Sequence, residues 1–183
     1  GVFSFCMCPG GFIVPSATAM GEVVVNGMSP SKRDSKYANS GIVVQITKND
    51  WKKFSDSGPL AGLYWQKSIE QLACKIAGQT QAVPAQRLQD FVEGRISTQL
   101  NSCSYQPGLE SVDFSELLPQ DLLQSLQFGF KSFGKKLPGF LTNEAQVLGV
   151  ESRTSSPVRI LRNSDTLEHV QLTNLYPCGE GAG

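Results

Sequence analysis

Histidine is nearly absent from this 183-residue chain, with His169 the single example. One imidazole, and no ligand pair at the usual spacing, argues against a structural zinc site. Nothing marks the nucleophile turn that a Ser-His-Asp hydrolase needs, and His169, in an alternating run, reads as exposed or structural. Cys-x-x-Cys is also missing, although there are five cysteines. An odd set without that spacing disfavours a disulfide scaffold and thioredoxin-like exchange. The thiols read as free groups in a reducing, cytoplasmic setting. Charge is sparse and balanced: 16 basic and 16 acidic residues give a formal net charge of zero. No broad attraction to nucleic acid or to an anionic membrane follows from that balance. Long apolar runs are lacking as well. Phe12 to Val14 and Val23 to Val25 fall far short of the roughly 20 residues of a spanning helix. The first residues have no basic segment of the kind that opens a secretory signal, and the run from Gly1 enters a strand-like stretch at once, as expected of a piece of a longer protein.

What is present is enough apolar material for a core, since hydrophobic residues make up 40% of the chain. Short β-branched and aromatic runs open it: Val2 to Cys8, Phe12 to Pro15, Glu22 to Val25 and Ile42 to Thr47, with Gly, Pro, Asn and Ser between them. Asn26-Gly27 reads as the start of a long polar loop, Met28 to Ser40, of a length that is uncommon inside a compact domain. The middle turns helical. Pro59 to Ala77 carries apolar residues at three- and four-residue spacing, with Pro59 suited to the first turn and Gly78 to the end. Pro84 to Val92 reads as a second helix closed by Gly94. Asp113 and Glu116 have capping-box spacing. Pro119 to Phe133 reads as a third helix, although Gly129 is unfavourable inside it. Gln146 to Val150, Val158 to Leu161, Glu168 to Leu172 and Leu175 to Cys178 return to β character. The expected fold class is α+β: a mixed β-sheet or flattened β-barrel with an inserted helical lobe. The expected division is 1–58 for the first half of the β domain, 59–143 for the lobe and 144–183 for the second half.

Three stretches carry chemistry. At the C-terminal end, Gly179, Glu180, Gly181, Ala182 and Gly183 bring bare backbone where a phosphate or a flavin edge can approach. A flexible glycine-rich tail explains the same letters, and a short glycine pattern alone does not decide. Arg153, Thr154 and Ser155 offer a planar guanidinium and hydroxyls suited to an anionic substrate; a surface turn is the competing reading. Cys6 and Cys8 lie two apart in a strand, so both thiols should share a face. They are weak candidates for redox catalysis, with burial as small apolar side chains the simpler account. Trp51 and Trp65 read as core or edge anchors.

The blocks Phe5-Cys6-Met7-Cys8-Pro9-Gly10-Gly11, Asn26-Gly27-Met28-Ser29, Arg33-Asp34 with Ala38-Asn39-Ser40, Glu151 through Ile160, and Tyr176-Pro177-Cys178-Gly179-Glu180-Gly181-Ala182-Gly183 stand in this order. Together they resemble a family of largely uncharacterised bacterial FAD-dependent dehydrogenases, the NAD(FAD)-utilising dehydrogenase-like proteins, over nearly the whole chain. The resemblance implies that this is the middle, substrate-side domain of a flavoprotein whose Rossmann segments, with Gly-x-Gly-x-x-Gly, lie elsewhere in the same polypeptide. It implies FAD as cofactor of the full-length protein, with NAD(P)H a candidate electron donor and an unidentified small molecule as substrate. Glu180 then takes the place of an acidic residue, often Asp, that meets the ribityl chain. On this reading the 183 residues alone are inactive and do not hold FAD tightly. The alternative is a non-enzymatic interaction module built on the Gln-rich helical stretch.

Overall fold

The computed structural model describes all residues from Gly1 to Gly183, and the chain divides into two compact units. The first comprises Gly1–Ile46 and Ser68–Glu151, the second Thr47–Lys67 and Ser152–Gly183. The class is α+β, as the alternation of strand-like and helical periods predicts. The strands belong to three small open sheets.

In the first unit, β1 (Val2–Cys8) pairs antiparallel with β4 (Asn39–Val44), and β2 (Phe12–Pro15) pairs antiparallel with β3 (Val25–Met28). The expected loop start at Asn26-Gly27 is instead part of β3, where Gly27 lies opposite Ile13 and Asn26 opposite Val14. The valines that suggested a strand just before it are buried but mostly outside a ladder. The Val23 N–H donates to the Glu70 carbonyl, and the Val25 N–H to that of Val150.

The third sheet is mixed. Its central strand β5 (Val83–Arg87) lies between β6 (Leu109–Ser111), parallel to it, and β7 (Gln146–Leu148), antiparallel. The expected helix over Pro84 to Val92 is therefore corrected: only its second half is helical, as α2 (Leu88–Glu93), ended by Gly94. Val83, Pro84, Ala85 and Gln86 are all buried, and a strand covered on both faces gives a continuous run that periodicity cannot tell from a helix. Pro84 keeps its place because its carbonyl still accepts from Gly149, while its missing N–H takes no ladder bond.

Helix α1 (Ala61–Ile76) follows a 3-10 stretch over Lys52–Leu60 that contains Pro59, and ends at Gly78, whose φ of +83° needs no Cβ to be accommodated. Helix α3 (Gln120–Lys136) begins directly after Pro119 and places Leu122, Leu123 and Phe130 inward. Asp113 caps a turn rather than a helix: its Oδ1 accepts the Ser115 N–H at 2.8 Å. The core is aromatic at its centre. Phe91 meets Phe114 and Phe130 edge-on, with centroids 5.3 and 5.6 Å apart, the favoured quadrupolar geometry.

The second unit has no regular sheet. The expected strands over Val158 to Leu161, Glu168 to Leu172 and Leu175 to Cys178 reduce to one isolated bridge, Arg162 to His169. No helix of the chain is long and apolar enough to cross a membrane.

Gly129, unfavourable by propensity, is explained by packing: a Cβ there would stand 2.6 Å from Val2 Cγ1. Overpacking of this kind costs about 1–3 kcal/mol, more than the roughly 1 kcal/mol alanine gains over glycine in a helix. Gly129→Ala is expected to lower the urea midpoint, and adding Val2→Gly, which also removes the Val2 Cβ 2.7 Å away, to recover part of it. A higher midpoint for the single variant would show that the helix is not held against β1.

Candidate functional site

The Cys6-Cys8 segment departs from plain strand geometry. The β1–β4 register shifts between Phe5 and Cys8, and Cys6 takes a φ of +47°. Such a bulge breaks the alternation of side chains. Cys6 is exposed and Cys8 buried, so the expectation that both thiols share a face is corrected. The Cys8 thiol is turned back onto the Cys6 carbonyl at 3.2 Å. All five cysteines are free thiols.

Around this bulge the first unit gathers sequence blocks that are far apart in the chain. The Gly11 N–H donates to the Tyr37 carbonyl at 2.9 Å, and the Ser35 hydroxyl donates to the Gly11 carbonyl at 2.9 Å. Gly10 packs directly against the Arg33 carbonyl, and Gly27 against the Asn39 carboxamide, where neither position leaves room for a Cβ. The long polar loop is thus tied down at its base, while Arg33 and Asp34 remain exposed. Asn39 lies opposite Cys8, and its Nδ2 is buried without a hydrogen-bond partner. Glu151 reaches the same place: its Oε2 stands 2.9 Å from where a Cβ on Gly41 would be, beside the Phe5 ring. Burial pushes the Glu151 carboxyl above its ordinary value of 4.5. The orphaned amide of Asn39 and the position of Glu151 had no sequence signal beyond membership in the ordered blocks, because both depend on pairing with distant residues.

The second unit brings the other candidates together. Gly179 has a φ of +91° and opens a 3-10 turn, Glu180–Ala182. The Ile160 N–H donates to the Gly181 carbonyl at 2.7 Å, and a Cβ on Gly181 would come within 3.0 Å of Ser156 Oγ. The glycine run is therefore locked to the end of the loop that carries Arg153, Thr154 and Ser155, all three of them exposed. Ala182 is buried, so the run is not a free tail. The N–H groups of Ala182 and Gly183 donate back to the carbonyls of Gly179 and Glu180, and those donors are not offered to a phosphate. What faces outward is the Glu180 side chain and the open side of Gly179, where nothing lies within 4 Å of a Cβ position. That fits a hydroxylated chain or a flat ring edge better than a pyrophosphate.

His169 serves structure. Its Nδ1 accepts the N–H groups of Gln171 and Leu172, both at 3.1 Å, closing the turn that follows it. A separate polar cleft of about 330 Å³ in the first unit is lined by Gln86, Glu93, Asp113, Gln120, Gln127 and Lys131 among others, and includes none of the candidates read from the sequence.

The raised Glu151 carboxyl sets a pH dependence. The folded state holds this proton more firmly than the unfolded state, so its contribution to stability is complete below 4.5 and is lost as pH rises through the higher folded value. Glu151→Gln is expected to flatten the fall in stability between 4.5 and that higher value, read from thermal midpoints across a pH series. An unchanged slope would mean that the carboxyl is not desolvated.

Residues 1–154, which include the whole first unit and the start of the Arg153 loop, match the family described as FAD-dependent protein, C-terminal domain-like. A protein of Clostridium beijerinckii described as uncharacterized is 43% identical over 185 residues, covering 100% of this chain. The chain spans 34% of that relative's length. The chain belongs to the FAD-dependent protein, C-terminal domain-like family.

Proposed function

We propose that this chain is the substrate-side domain of an FAD-dependent oxidoreductase, covering the flavin and shaping the pocket beside it. The observation that carries the reading is the joining of the two candidate stretches in the second unit. Gly181 is bonded to Ile160 and packed on Ser156, so a cofactor-facing turn and a substrate-facing loop move as one piece. The bound flavin supplies hydride transfer. The chain supplies position: Glu180 directs its carboxylate at a ribityl hydroxyl, and Arg153, Thr154 and Ser155 hold an anionic group of the substrate. Cys6, exposed at the bulge, is the thiol of the pair that a reagent or substrate can reach, while Cys8 is buried. NAD(P)H as electron donor belongs to the same proposal, as does a FAD cradle contributed by further parts of the polypeptide.

The full-length protein is expected to be isolated with a flavin absorbance spectrum, and the 183-residue chain without one. A hydrogen bond to a charged group is worth about 1.5–3 kcal/mol, so Glu180→Ala should weaken FAD binding by roughly ten- to a hundredfold. Arg153→Ala should raise KM with FAD content unchanged. A flavin-free full-length protein would overturn the proposal, and undiminished FAD binding in Glu180→Ala would remove Glu180 from the site. Reduction by NADH and NADPH, followed at the flavin band, tests the donor.

A further inference from the structure

The second unit is short of a core. Its buried apolar side chains are Ala61 and Ala182, the smallest available. Trp51, Phe54, Trp65 and Val158 are half-buried, while Leu161, Val170, Leu172 and Tyr176 are 55, 54, 57 and 59% exposed. Folding a segment costs conformational entropy at every residue, and alanine burial alone does not offset it. Exposed apolar side chains are ordinary when scattered, but a concentration of them marks an interaction surface.

The backbone shows how they are gathered. Arg162 pairs antiparallel with His169, and the Asn163 N–H donates to the Glu168 carbonyl at 2.8 Å. Beside that bridge Leu161 and Val170 are both exposed, while Arg162 and His169 are half-buried. Arg162 is drawn inward, its Nη1 donating to the Pro177 carbonyl at 2.8 Å. The His169 N–H donates to the Leu175 carbonyl, which brings the following segment alongside. A short ribbon therefore turns its polar side to its own backbone and its apolar side outward. This is the reverse of a surface element that ends at water.

We propose that this apolar side of residues 160–176 is the docking surface for the flavin-holding remainder of the full-length polypeptide. Two facts name that occupant. The chain makes up 34% of its Clostridium relative, and the family is FAD-dependent, so a longer protein has both the material and a cofactor to enclose. The glycine turn is attached to the same ribbon through Ile160 and Gly181, so docking here carries Glu180 with it. The inference rests on the flavin reading only for naming the occupant.

Amide hydrogen exchange tests it. Residues 160–176 are expected to exchange slowly in the full-length protein and fast in the 183-residue chain. Placing a charge at a buried leucine position costs enough to accelerate that segment by about tenfold or more. Leu172→Glu, and separately Val170→Glu, should do so in the full-length protein and leave exchange over 83–92 unchanged. Fast exchange in the unmodified full-length protein would overturn the proposal. So would slow exchange already present in the 183-residue chain, whether the chain covers itself or light scattering shows a second copy doing so. The flavin spectrum of the same full-length sample separates the two readings. Slow exchange without flavin leaves the docking surface standing and removes the cofactor, whereas fast exchange with flavin does the opposite.

Discussion

The first unit depends on how three buried valines satisfy their backbone. Val23, Val24 and Val25 are nearly inaccessible, so each N–H and carbonyl needs a partner inside the protein. The partners come from distant stretches. Val23 donates to Glu70 in α1, the Val24 carbonyl accepts from Ser16, and Val25 donates to Val150. These bonds fix the helix, the β2 end and the 149–151 segment around one extended run. Glu151 follows directly from Val150, and its carboxyl is thereby delivered to Gly41 and the Phe5 ring. The candidate site at the bulge is a consequence of that backbone accounting.

Much of this was legible in the residues, and the misses share a cause. The β1 and β2 spans and the helices beginning after Pro59 and Pro119 follow from local punctuation and period, which act over a few residues. The strand β5 and the position of β3 were not legible, because they are decided by burial on both faces and by pairing with distant partners. A covered strand such as Val83-Pro84-Ala85-Gln86 has no polar face to mark its period. The same limit applies to the cysteines. Alternation predicts a shared face, and a single residue in the left-handed region at Cys6 reverses the outcome. In the second unit, β-like letters over 158–178 yielded one bridge. Most of their apolar residues are exposed, so local β propensity there found no partner strand within these 183 residues.

The glycines separate what the chain explains internally from what it does not. Gly10 is pressed against the Arg33 backbone, and Gly27 and Gly41 against the side chains of Asn39, Phe5 and Glu151, so each has a packing reason within the chain. No ligand has to be invoked for them, even though they lie in the blocks that carry the family resemblance. Gly181 is likewise accounted for by Ser156 and Val158. Gly179 has a φ that favours glycine and nothing within 4 Å of its Cβ position, a combination it shares with Gly21, Gly58, Gly78 and Gly139. Beside it Glu180 is an exposed carboxylate on a turn held by Ile160 and by the burial of Ala182. A well-anchored turn that presents an acid and bare backbone outward does no visible work within these 183 residues. Of the residues proposed above to meet the flavin, Glu180 is therefore the one whose side chain this turn holds in place and leaves exposed.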